Sequence, residues 1–172
     1  FMLEAAQKML KPLADAEPAF VLRQLGTRLR GLEIDPHAAH LAQSALEILL
    51  ADITRAAGQP APQFIRIGDS LEEAPQEEFH VVLGNPPYGR VSLSFDQRTK
   101  FRRSLYGHAN LYGIFTDLAL RWTRPGGLVA FLTPTSFLAG QYFAALRRLL
   151  GNEAPPLSID FVHARKGIFE DG

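Results

Sequence analysis

The stretch that decides the fold is Phe79-His-Val-Val-Leu-Gly84, followed at once by Asn85-Pro-Pro-Tyr88. Residues 79–84 form a short apolar run, which is typical of a buried strand. The four residues after it therefore lie at the carboxyl end of a strand, where open α/β sheets bind their ligands. The stretch predicts an α/β fold with a polar loop at this strand end.

Strands and helices alternate on both sides of this stretch. Asp35 and Pro36 have the residue types of a capped helix start, and Gly26 is expected to close the helix before it. Arg124–Gly127 predicts a tight turn. The predicted helices are 1–10, 18–25, 36–57, 110–122 and 135–150, with a partly helical segment at 95–104, and the predicted strands are 29–34, 64–67, 79–84, 128–132 and 159–162. This alternation predicts a doubly wound, mostly parallel sheet with helices on both faces.

Composition limits the class of protein. The chain has 172 residues, of which 47% are hydrophobic and 21% charged, as expected of one globular domain. It has no apolar run long enough for a transmembrane helix and no signal-peptide pattern, so we expect a cytoplasmic protein without a membrane partner. The absence of cysteine excludes disulfides, thiolate catalysis and cysteine zinc sites.

The charge distribution is more informative than its total. The formal net charge is zero, but residues 90–103 carry five basic side chains and one acidic side chain, Asp96, a local charge of +4. A basic segment next to the Asn85 loop is what contact with a phosphate backbone requires. The simpler alternative is a solvated helix face. The candidate backbone contacts are Arg90, Arg98, Lys100, Arg102 and Arg103.

The residues of the Asn85 loop suit the chemistry of an amine attached to an aromatic base. The lone pair of such an amine is delocalised into the ring, so the amine is a poor nucleophile. The side-chain oxygen of Asn85 and the main-chain carbonyl of Pro86 can each accept one N–H and favour the pyramidal, reactive amine. The two prolines fix φ near about −65° and keep both acceptors aimed. Tyr88 offers a flat face on which an extruded base can stack.

Acidic residues follow the two earlier predicted strands. Glu33 can accept the ribose hydroxyls of a nucleoside-containing cofactor, and Ile34 can lie against its adenine. Asp69 follows the next strand and can accept from the adenine amino group. Each acid alone is a weak signal, and Asp35 is better explained as a helix cap. Their order along the chain, two acids and then Asn85, is the stronger signal.

Two other types of site are less well supported. His37 and His40 lie on one face of a predicted helix, but no acid or third ligand accompanies them, so we predict no metal site. Ser136 and His163 would suit a hydrolase, but no nucleophile-elbow pattern surrounds Ser136.

Several motifs resemble the DNA adenine-N6 methyltransferases of restriction–modification systems, in the gamma order in which the cofactor motifs precede Asn-Pro-Pro-Tyr. The overall style is similar to that of combined restriction–modification polypeptides. The matching segments are Gly31-Leu-Glu-Ile-Asp-Pro36, Gly68-Asp-Ser70, Leu83-Gly-Asn-Pro-Pro-Tyr-Gly89, Asn110-Leu-Tyr-Gly-Ile-Phe115, Pro125-Gly-Gly127 and Pro134-Thr-Ser-Phe137. The resemblance implies a Rossmann-like class I methyltransferase fold, S-adenosylmethionine as cofactor and DNA as partner.

The resemblance also implies roles for individual residues. The catalytic group is Asn85, Pro86 and Tyr88. The cofactor group is Glu33, Ile34, Asp69, Ser70 and Asn85. The residues against the flipped base are Pro87, Tyr88 and Phe169.

The family's glycine-rich cofactor turn and its target-recognition region are not found in the chain. We therefore interpret residues 1–172 as a partial catalytic domain of a longer protein, truncated at the first strand and at the last hairpin. Its cofactor half would be 1–78 and its catalytic half 79–172. Alone it is expected neither to bind cofactor well nor to recognise a DNA sequence, so the remainder of the parent chain is an expected partner.

Two alternatives remain open for the activity. Asn-Pro-Pro-Tyr also occurs in enzymes that methylate protein glutamine or RNA guanine amines, although the basic segment 90–103 and the helix at Asn110 favour DNA. Residues 110–115 are mostly a core stripe, with Asn110 and Tyr112 as candidates to reach the site. The other alternative is a catalytically silent DNA-binding module of a restriction enzyme, and the intact Asn85 loop argues against it.

Overall fold

A computed structural model describes residues 1–73 and 78–162 of the chain. The chain divides into two compact units, Phe1–Phe79 and His80–Gly172. Both units combine helices with paired strands, as the alternating pattern predicts.

The first unit is built around one apolar core. Its elements are α1 (Met2–Leu10), a 3₁₀ helix (Lys11–Leu13), α2 (Pro18–Arg28), β1 (Gly31–Glu33), α3 (Pro36–Leu49), α4 (Ala51–Ala57) and β2 (Ile65–Ile67). The core residues are Ala6, Val21, Leu22, Leu25, Leu29, Ala39, Leu46, Leu50, Phe64 and Ile65. They come from the apolar faces of the helices and from the strands, so the helices cover the strand pair by burying those faces.

The two strands of this unit pair in parallel. Gly31 lies opposite Ile65, and Glu33 lies opposite Ile67. The pairing continues past the strand ends, because the N–H of Gly68 donates to the carbonyl of Glu33 at 2.9 Å. Parallel pairing brings the carboxyl ends of both strands to the same edge of this sheet.

Acidic side chains cap two helices of the first unit. Glu17 accepts hydrogen bonds from the backbone N–H groups of Ala19 and Phe20, and these bonds, that of Ala19 first, lower the pKa of its carboxyl. Asp35 accepts from two N–H groups in the first turn of α3, at 2.7 and 3.0 Å, and Pro36 begins that helix. The predicted capped start of α3 is confirmed.

The second unit continues the alternation of strands and helices. Its elements are β3 (Phe79–Gly84), β4 (Arg90–Val91), α5 (Phe95–Lys100), β5 (Ala109–Asn110), α6 (Leu111–Trp122), β6 (Thr123–Phe131), 3₁₀ helices at Thr135–Leu138 and Gln141–Phe143, and α7 (Ala144–Glu153). The buried aromatic residues Phe101 and Tyr112 and the aliphatic residues Ile114, Leu118, Leu146 and Leu149 form its interior.

Strands β3 and β6 are neighbours in one sheet. The N–H of Leu132 donates to the carbonyl of Gly84 at 3.1 Å. Nearer the start of both strands, a Cβ added at Gly127 would lie 2.8 Å from the carbonyl oxygen of His80. The contacts advance in the same direction along both strands, so the pair is parallel. The loops after Gly84 and after Phe131 therefore leave from the same end of this sheet.

Two helix boundaries differ from the prediction. Gly26 was expected to end α2, but the helix continues to Arg28. A Cβ at Gly26 would lie 2.9 Å from Pro62, so this glycine permits close packing and does not act as a cap. The predicted helix over 36–57 breaks at Leu50, which has φ −96° and ψ 4° and is fully buried. Tertiary packing at Leu50 overrides the uniform helical propensity of the segment.

Three predictions near the end of the chain were also wrong in part. The expected turn at 124–127 belongs to β6, where Gly126 takes a φ of +77°. The helix expected over 135–150 is interrupted at Gly140, whose ψ is 135°. Arg147 donates to the carbonyls of Phe137 and Gly140 and so satisfies backbone groups that the interrupted helix leaves open. Residues 159–162, expected as a last strand, are not in a strand. An apolar run is a local signal, whereas strand pairing depends on distant parts of the chain.

Candidate active site

The Asn85 loop lies where the sequence predicts it, directly after β3. The side chains of Asn85, Pro87 and Tyr88 are exposed, whereas Pro86 is buried. The hydroxyl of Tyr88 donates to Oδ1 of Asn85 at 2.9 Å and approaches the carbonyl of Leu132 at 3.5 Å. The Asn85 oxygen is thus an accessible acceptor that already holds one hydrogen-bond donor.

The backbone on either side of the loop is fixed by pairing with neighbouring segments. Arg90 lies opposite Asn110 in the antiparallel β4–β5 pair, and the N–H of Leu111 donates to the carbonyl of Gly89 at 3.0 Å. Gly89 has a φ of +117°, which glycine adopts without strain. On the other side, a Cβ at Gly84 would lie 3.0 Å from the ring of Phe131. The start of α6 and strand β6 therefore hold the two ends of the loop.

An aromatic group supports Tyr88 from within the second unit. The ring of Tyr112 lies edge-on to that of Tyr88, with centroids 6.4 Å apart and an interplanar angle of 88°. Tyr112 also stacks on Phe143 at 4.9 Å, and its hydroxyl lies 2.8 Å from that of Ser136. Burial raises the pKa of Tyr112, and the hydrogen bond with Ser136 opposes part of that rise.

These contacts show what the segment 110–115 and Ser136 do. Tyr112 is buried, as a core stripe requires, and still reaches the ring of Tyr88. The side-chain oxygen of Asn110 is buried and has no hydrogen-bond partner among residues 1–73 and 78–162. The bond between Ser136 and Tyr112 gives Ser136 a structural partner. His163, its hypothetical hydrolase partner, lies outside the described residues.

The predicted cofactor residues of the first unit lie at one end of the β1–β2 pair. Glu33 ends β1, and one of its carboxylate oxygens accepts from the N–H of Asp35 at 3.0 Å. Asp69 follows β2, and one of its oxygens accepts from the N–H of Leu71 at 2.9 Å. Each carboxylate has a second oxygen, and the side chain of Ile34 is 65% exposed. Two carboxylates and one exposed apolar side chain at the same strand edge fit the hydroxyls, amine and flat face of a nucleoside, and Ser70 is next to Asp69.

The predicted basic segment divides into two groups. Arg103 donates to Asp117 at 2.7 Å and to Glu153 at 2.8 Å. Asp117 is fully buried and also accepts from Ser104 and Arg121. A buried carboxylate must be paired in this way, so Arg103 has a structural role.

The other basic side chains of the segment, those of Arg90, Arg98, Lys100 and Arg102, are exposed or partly exposed. Arg98 donates to the carbonyl of Gly107 at 3.0 Å, and the ammonium of Lys100 lies 5.5 Å from the ring of Phe101. Arg90 and Arg102 are exposed. Sequence reasoning missed the buried group around Asp117. The spacing of Asp117 and Arg121, four residues apart on α6, is the one signal of it in the sequence.

Three further predictions concern Phe169, a metal site and a membrane-spanning helix. Phe169 lies outside the described residues, so its contact with a flipped base stays a prediction. Within residues 1–73 and 78–162, no three His, Asp or Glu side chains are grouped as metal ligands would be. No helix in this part of the chain is long and apolar enough to cross a membrane.

The fold defines the class of protein. A solved structure from Listeria monocytogenes, assigned to the class I S-adenosylmethionine-dependent methyltransferases, superposes with a TM-score of 0.55 at 22% identity, covering 77% of this chain and 40% of that one. The predicted α/β, Rossmann-like class I fold is confirmed by this similarity and by the parallel strand pairs.

The sequence then identifies the family. Residues 27–169 match the Eco57I restriction-modification methylase family, and the chain belongs to that family. The fold and the family together assign S-adenosylmethionine as the cofactor. The resemblance to restriction–modification methyltransferases is confirmed.

Individual relatives are similar over most of this chain. The Type II methyltransferase M.TthHB8I of Thermus thermophilus is 31% identical over 139 residues, which cover 74% of this chain and 28% of the relative. M.PaeR7I of Pseudomonas aeruginosa is 26% identical over 159 residues, covering 87% of this chain and 28% of the relative. M.BsuBI of Bacillus subtilis is 28% identical over 103 residues, which cover 60% of this chain and 21% of the relative. The chain thus spans about a quarter of the length of these relatives.

Proposed function

We propose that this chain carries the catalytic residues of a restriction–modification methyltransferase that transfers a methyl group from S-adenosylmethionine to the N6 amine of adenine in DNA. The observation that carries the proposal is the exposed acceptor oxygen of Asn85 at the end of β3, which holds the Tyr88 hydroxyl at 2.9 Å. An N–H of a target amine has the same donor chemistry and would take the place of that hydroxyl.

The chain's residues would prepare the amine for attack. Asn85 Oδ1 and the carbonyl of Pro86 each accept one N–H, so the nitrogen lone pair is freed from the ring. The cofactor, when bound, supplies a methyl group on a positively charged sulfur. The amine nitrogen would gain the methyl group, the sulfur would keep the electron pair of the broken carbon–sulfur bond, and the surplus proton of the nitrogen would pass to solvent water. Two acceptors at Asn85 and Pro86 favour this course, because positive charge develops on the nitrogen.

The remaining proposed roles concern binding. Tyr88 and Pro87 would contact the extruded base, with Phe169 as a further candidate. Glu33 would accept from the ribose hydroxyls of the cofactor, Asp69 and Ile34 would contact its adenine, and Ser70 and Asn85 complete the proposed cofactor group. Arg90, Arg98, Lys100 and Arg102 would contact DNA phosphates. We leave Arg103 out of this group, because Asp117 and Glu153 already bind its guanidinium.

The test is a comparison of methyl acceptors with the full-length protein. Labelled S-adenosylmethionine is supplied with duplex DNA, with structured RNA or with a glutamine-containing protein substrate. We expect label in DNA. Asn85→Ala should lower the single-turnover rate on DNA by about 100-fold or more, since a comparable acceptor or donor at a charged transition state contributes about 3 kcal/mol. Cofactor affinity should fall far less than the rate, because Glu33, Asp69 and Ile34 would make most of the proposed cofactor contacts.

Asn152→Ala is the matched control, because Asn152 is an exposed asparagine of the same unit, on α7. It should leave the rate unchanged. Label in RNA or protein and not in DNA would favour the other amine methyltransferases. An absence of transfer to any acceptor would favour a silent DNA-binding module. A near-normal single-turnover rate for Asn85→Ala would remove Asn85 from the proposed chemistry.

A further inference from the structure

We infer that Tyr112 is a positioning residue that fixes the ring of Tyr88 against the site, and that Ser136 and Phe143 hold Tyr112 in place for this purpose. The inference rests on the proposed function, since it assigns a task to Tyr88 in binding the base. The spacing between the Asn85 loop and the segment 110–115 does not by itself predict this role for Tyr112.

The first observation is the geometry between the two tyrosines. Their rings are 6.4 Å apart at 88°, so the edge of one ring meets the face of the other. Edge-to-face pairs at this distance are attractive because the ring edge is positive and the ring face negative. Tyr88 is 46% exposed and Tyr112 only 2%. The buried ring therefore supports the exposed one and leaves part of Tyr88 open to a ligand.

The second observation is that both the ring and the hydroxyl of Tyr112 have partners. Its ring stacks on Phe143 at 4.9 Å and 20°, and its hydroxyl is 2.8 Å from that of Ser136. A buried phenol needs such a hydrogen bond, because an unpaired one costs free energy. The bond and the ring contact together leave Tyr112 with one well-defined orientation.

The third observation is where these partners lie in the chain. Tyr88 follows β3, Ser136 follows β6, and Tyr112 is in the first turn of α6. The two strands are parallel neighbours, so their loops leave from one end of the sheet. Tyr112 contacts both loops, and the Tyr88 hydroxyl also approaches the carbonyl of Leu132 in the second loop. Tyr112 thus connects the Asn85 loop, which follows β3, with the loop that follows β6.

A fixed ring has a direct consequence for base binding. An exposed tyrosine loses side-chain freedom when a base stacks on it, and this loss weakens binding. A ring that Tyr112 already orients has less freedom to lose. Replacing Tyr112 should therefore lower the methylation rate and weaken base extrusion while Tyr88 is present. In a variant that already lacks the Tyr88 ring, the same replacement should have little further effect.

A double-mutant cycle on the full-length protein tests this coupling. Tyr112→Leu should lower the single-turnover methylation rate by about 3- to 10-fold when Tyr88 is present, the range expected for one aromatic pair. In a Tyr88→Ala background the same change should lower the rate by less than about 2-fold. Tyr112→Phe keeps the ring contacts but loses the bond to Ser136, so its rate should be clearly higher than that of Tyr112→Leu. Fluorescence of 2-aminopurine at the target position should show the same pattern for base extrusion.

Phe101→Leu is the matched control, because Phe101 is also a fully buried aromatic residue of this unit. It should lower the rate by the same factor whether Tyr88 is present or replaced. If Tyr112→Leu unfolds the protein, Ser136→Ala takes its place, because Ser136 is exposed and its substitution removes only the hydroxyl. We expect about a 2- to 5-fold loss with Tyr88 present and none with Tyr88→Ala.

Equal factors for Tyr112→Leu in both backgrounds would overturn the inference, as would a Tyr112→Phe variant as impaired as Tyr112→Leu. Failure of the proposed function looks different. In that case the unaltered protein transfers no methyl group to adenine, so no rate exists from which a coupling could be calculated.

Discussion

At the scale of single residues, the Tyr88 hydroxyl and the Asn85 oxygen satisfy each other. The 2.9 Å bond gives Asn85 Oδ1 a donor in the absence of a base. A target amine that takes the place of this hydroxyl replaces one hydrogen bond with another. The net cost is small, because breaking and remaking equivalent bonds nearly cancels.

The role of the Tyr88 ring gives a prediction about its variants. Extruding a base costs a few kcal/mol, and stacking on an aromatic ring recovers about 1–3 kcal/mol of it. Tyr88→Ala should therefore weaken methylation by about 10-fold or more. Tyr88→Phe and Tyr88→Trp should preserve most of it, since both retain a flat face. Single-turnover rates and 2-aminopurine fluorescence in the full-length protein measure the two effects.

The comparison between Tyr88→Phe and Tyr88→Ala separates the ring from the hydroxyl. In the base-free protein the hydroxyl binds Asn85, but a bound amine would replace that contact. A Tyr88→Phe variant as defective as Tyr88→Ala would show that the hydroxyl takes part in the chemistry. The stacking role would then have to be withdrawn.

At the scale of elements, the end of β1 places two acids, Glu33 and Asp35, two residues apart for different tasks. Asp35 accepts from the first turn of α3 and stabilises that helix. Glu33 lies at the strand edge with one carboxylate oxygen bound to the backbone. Sequence alone suggests a cap for Asp35 and a ribose contact for Glu33, and the structure confirms the cap.

A pair of substitutions in the full-length protein distinguishes these tasks. Asp35→Ala should lower the free energy of unfolding by about 1 kcal/mol, the usual cost of losing a helix cap. Glu33→Gln should weaken binding of S-adenosylmethionine or its demethylated product, because the carboxylate is a stronger acceptor for hydroxyls than an amide. Thermal unfolding measures the first effect and calorimetric titration the second. Unchanged affinity in Glu33→Gln would remove Glu33 from the proposed cofactor group.

The elements also show what local patterns can and cannot predict. The bounds of strand β3 and helix α6 were predicted to within one residue, because a continuous apolar run and a regular apolar stripe are local signals. The predicted burial of β3 was wrong, since Val81 is 48% exposed and Leu83 46%. The bounds of the helix expected over 135–150 were not predicted correctly, since Gly140 interrupts a pattern that otherwise favours a helix. Whether an apolar run such as 159–162 pairs into a sheet depends on residues far away in the sequence, which a local pattern does not contain.

At the scale of the whole molecule, a net charge of zero means that attraction to DNA must come from local surface charge. The exposed cations of residues 90–102 are the proposed source. Arg103 shows why sequence could not define this surface completely: its partner Asp117 is 14 residues away. The contact between Tyr112 and Ser136, 24 residues apart, escaped prediction for the same reason.

The salt dependence of DNA binding by the full-length protein tests the basic segment. Replacing Arg90 and Arg102 by glutamine should lower the slope of log affinity against log salt by about 1 for each phosphate that the protein no longer binds. Arg55→Gln is the control, because Arg55 is an exposed arginine of the first unit that pairs with Asp52. A slope that is equal in the double variant and the unaltered protein would contradict phosphate binding by these residues.

The predicted meeting of Glu33, Asp69 and Asn85 at one sheet edge belongs to this scale and stays a prediction. Glu33 and Asp69 lie in the first compact unit and Asn85 in the second. Within the first unit, the parallel register of β1 and β2 brings the two acids to one edge, as parallel pairing requires.

The most direct measurement of the central claim is the nucleoside composition of DNA from cells that express the full-length protein. Mass spectrometry of digested DNA should show N6-methyladenine, and the Asn85→Ala variant should show little or none. Methylated cytosine without N6-methyladenine would contradict the assignment of adenine as the target. Unmodified DNA together with methylated RNA or protein would contradict the assignment of DNA as the substrate.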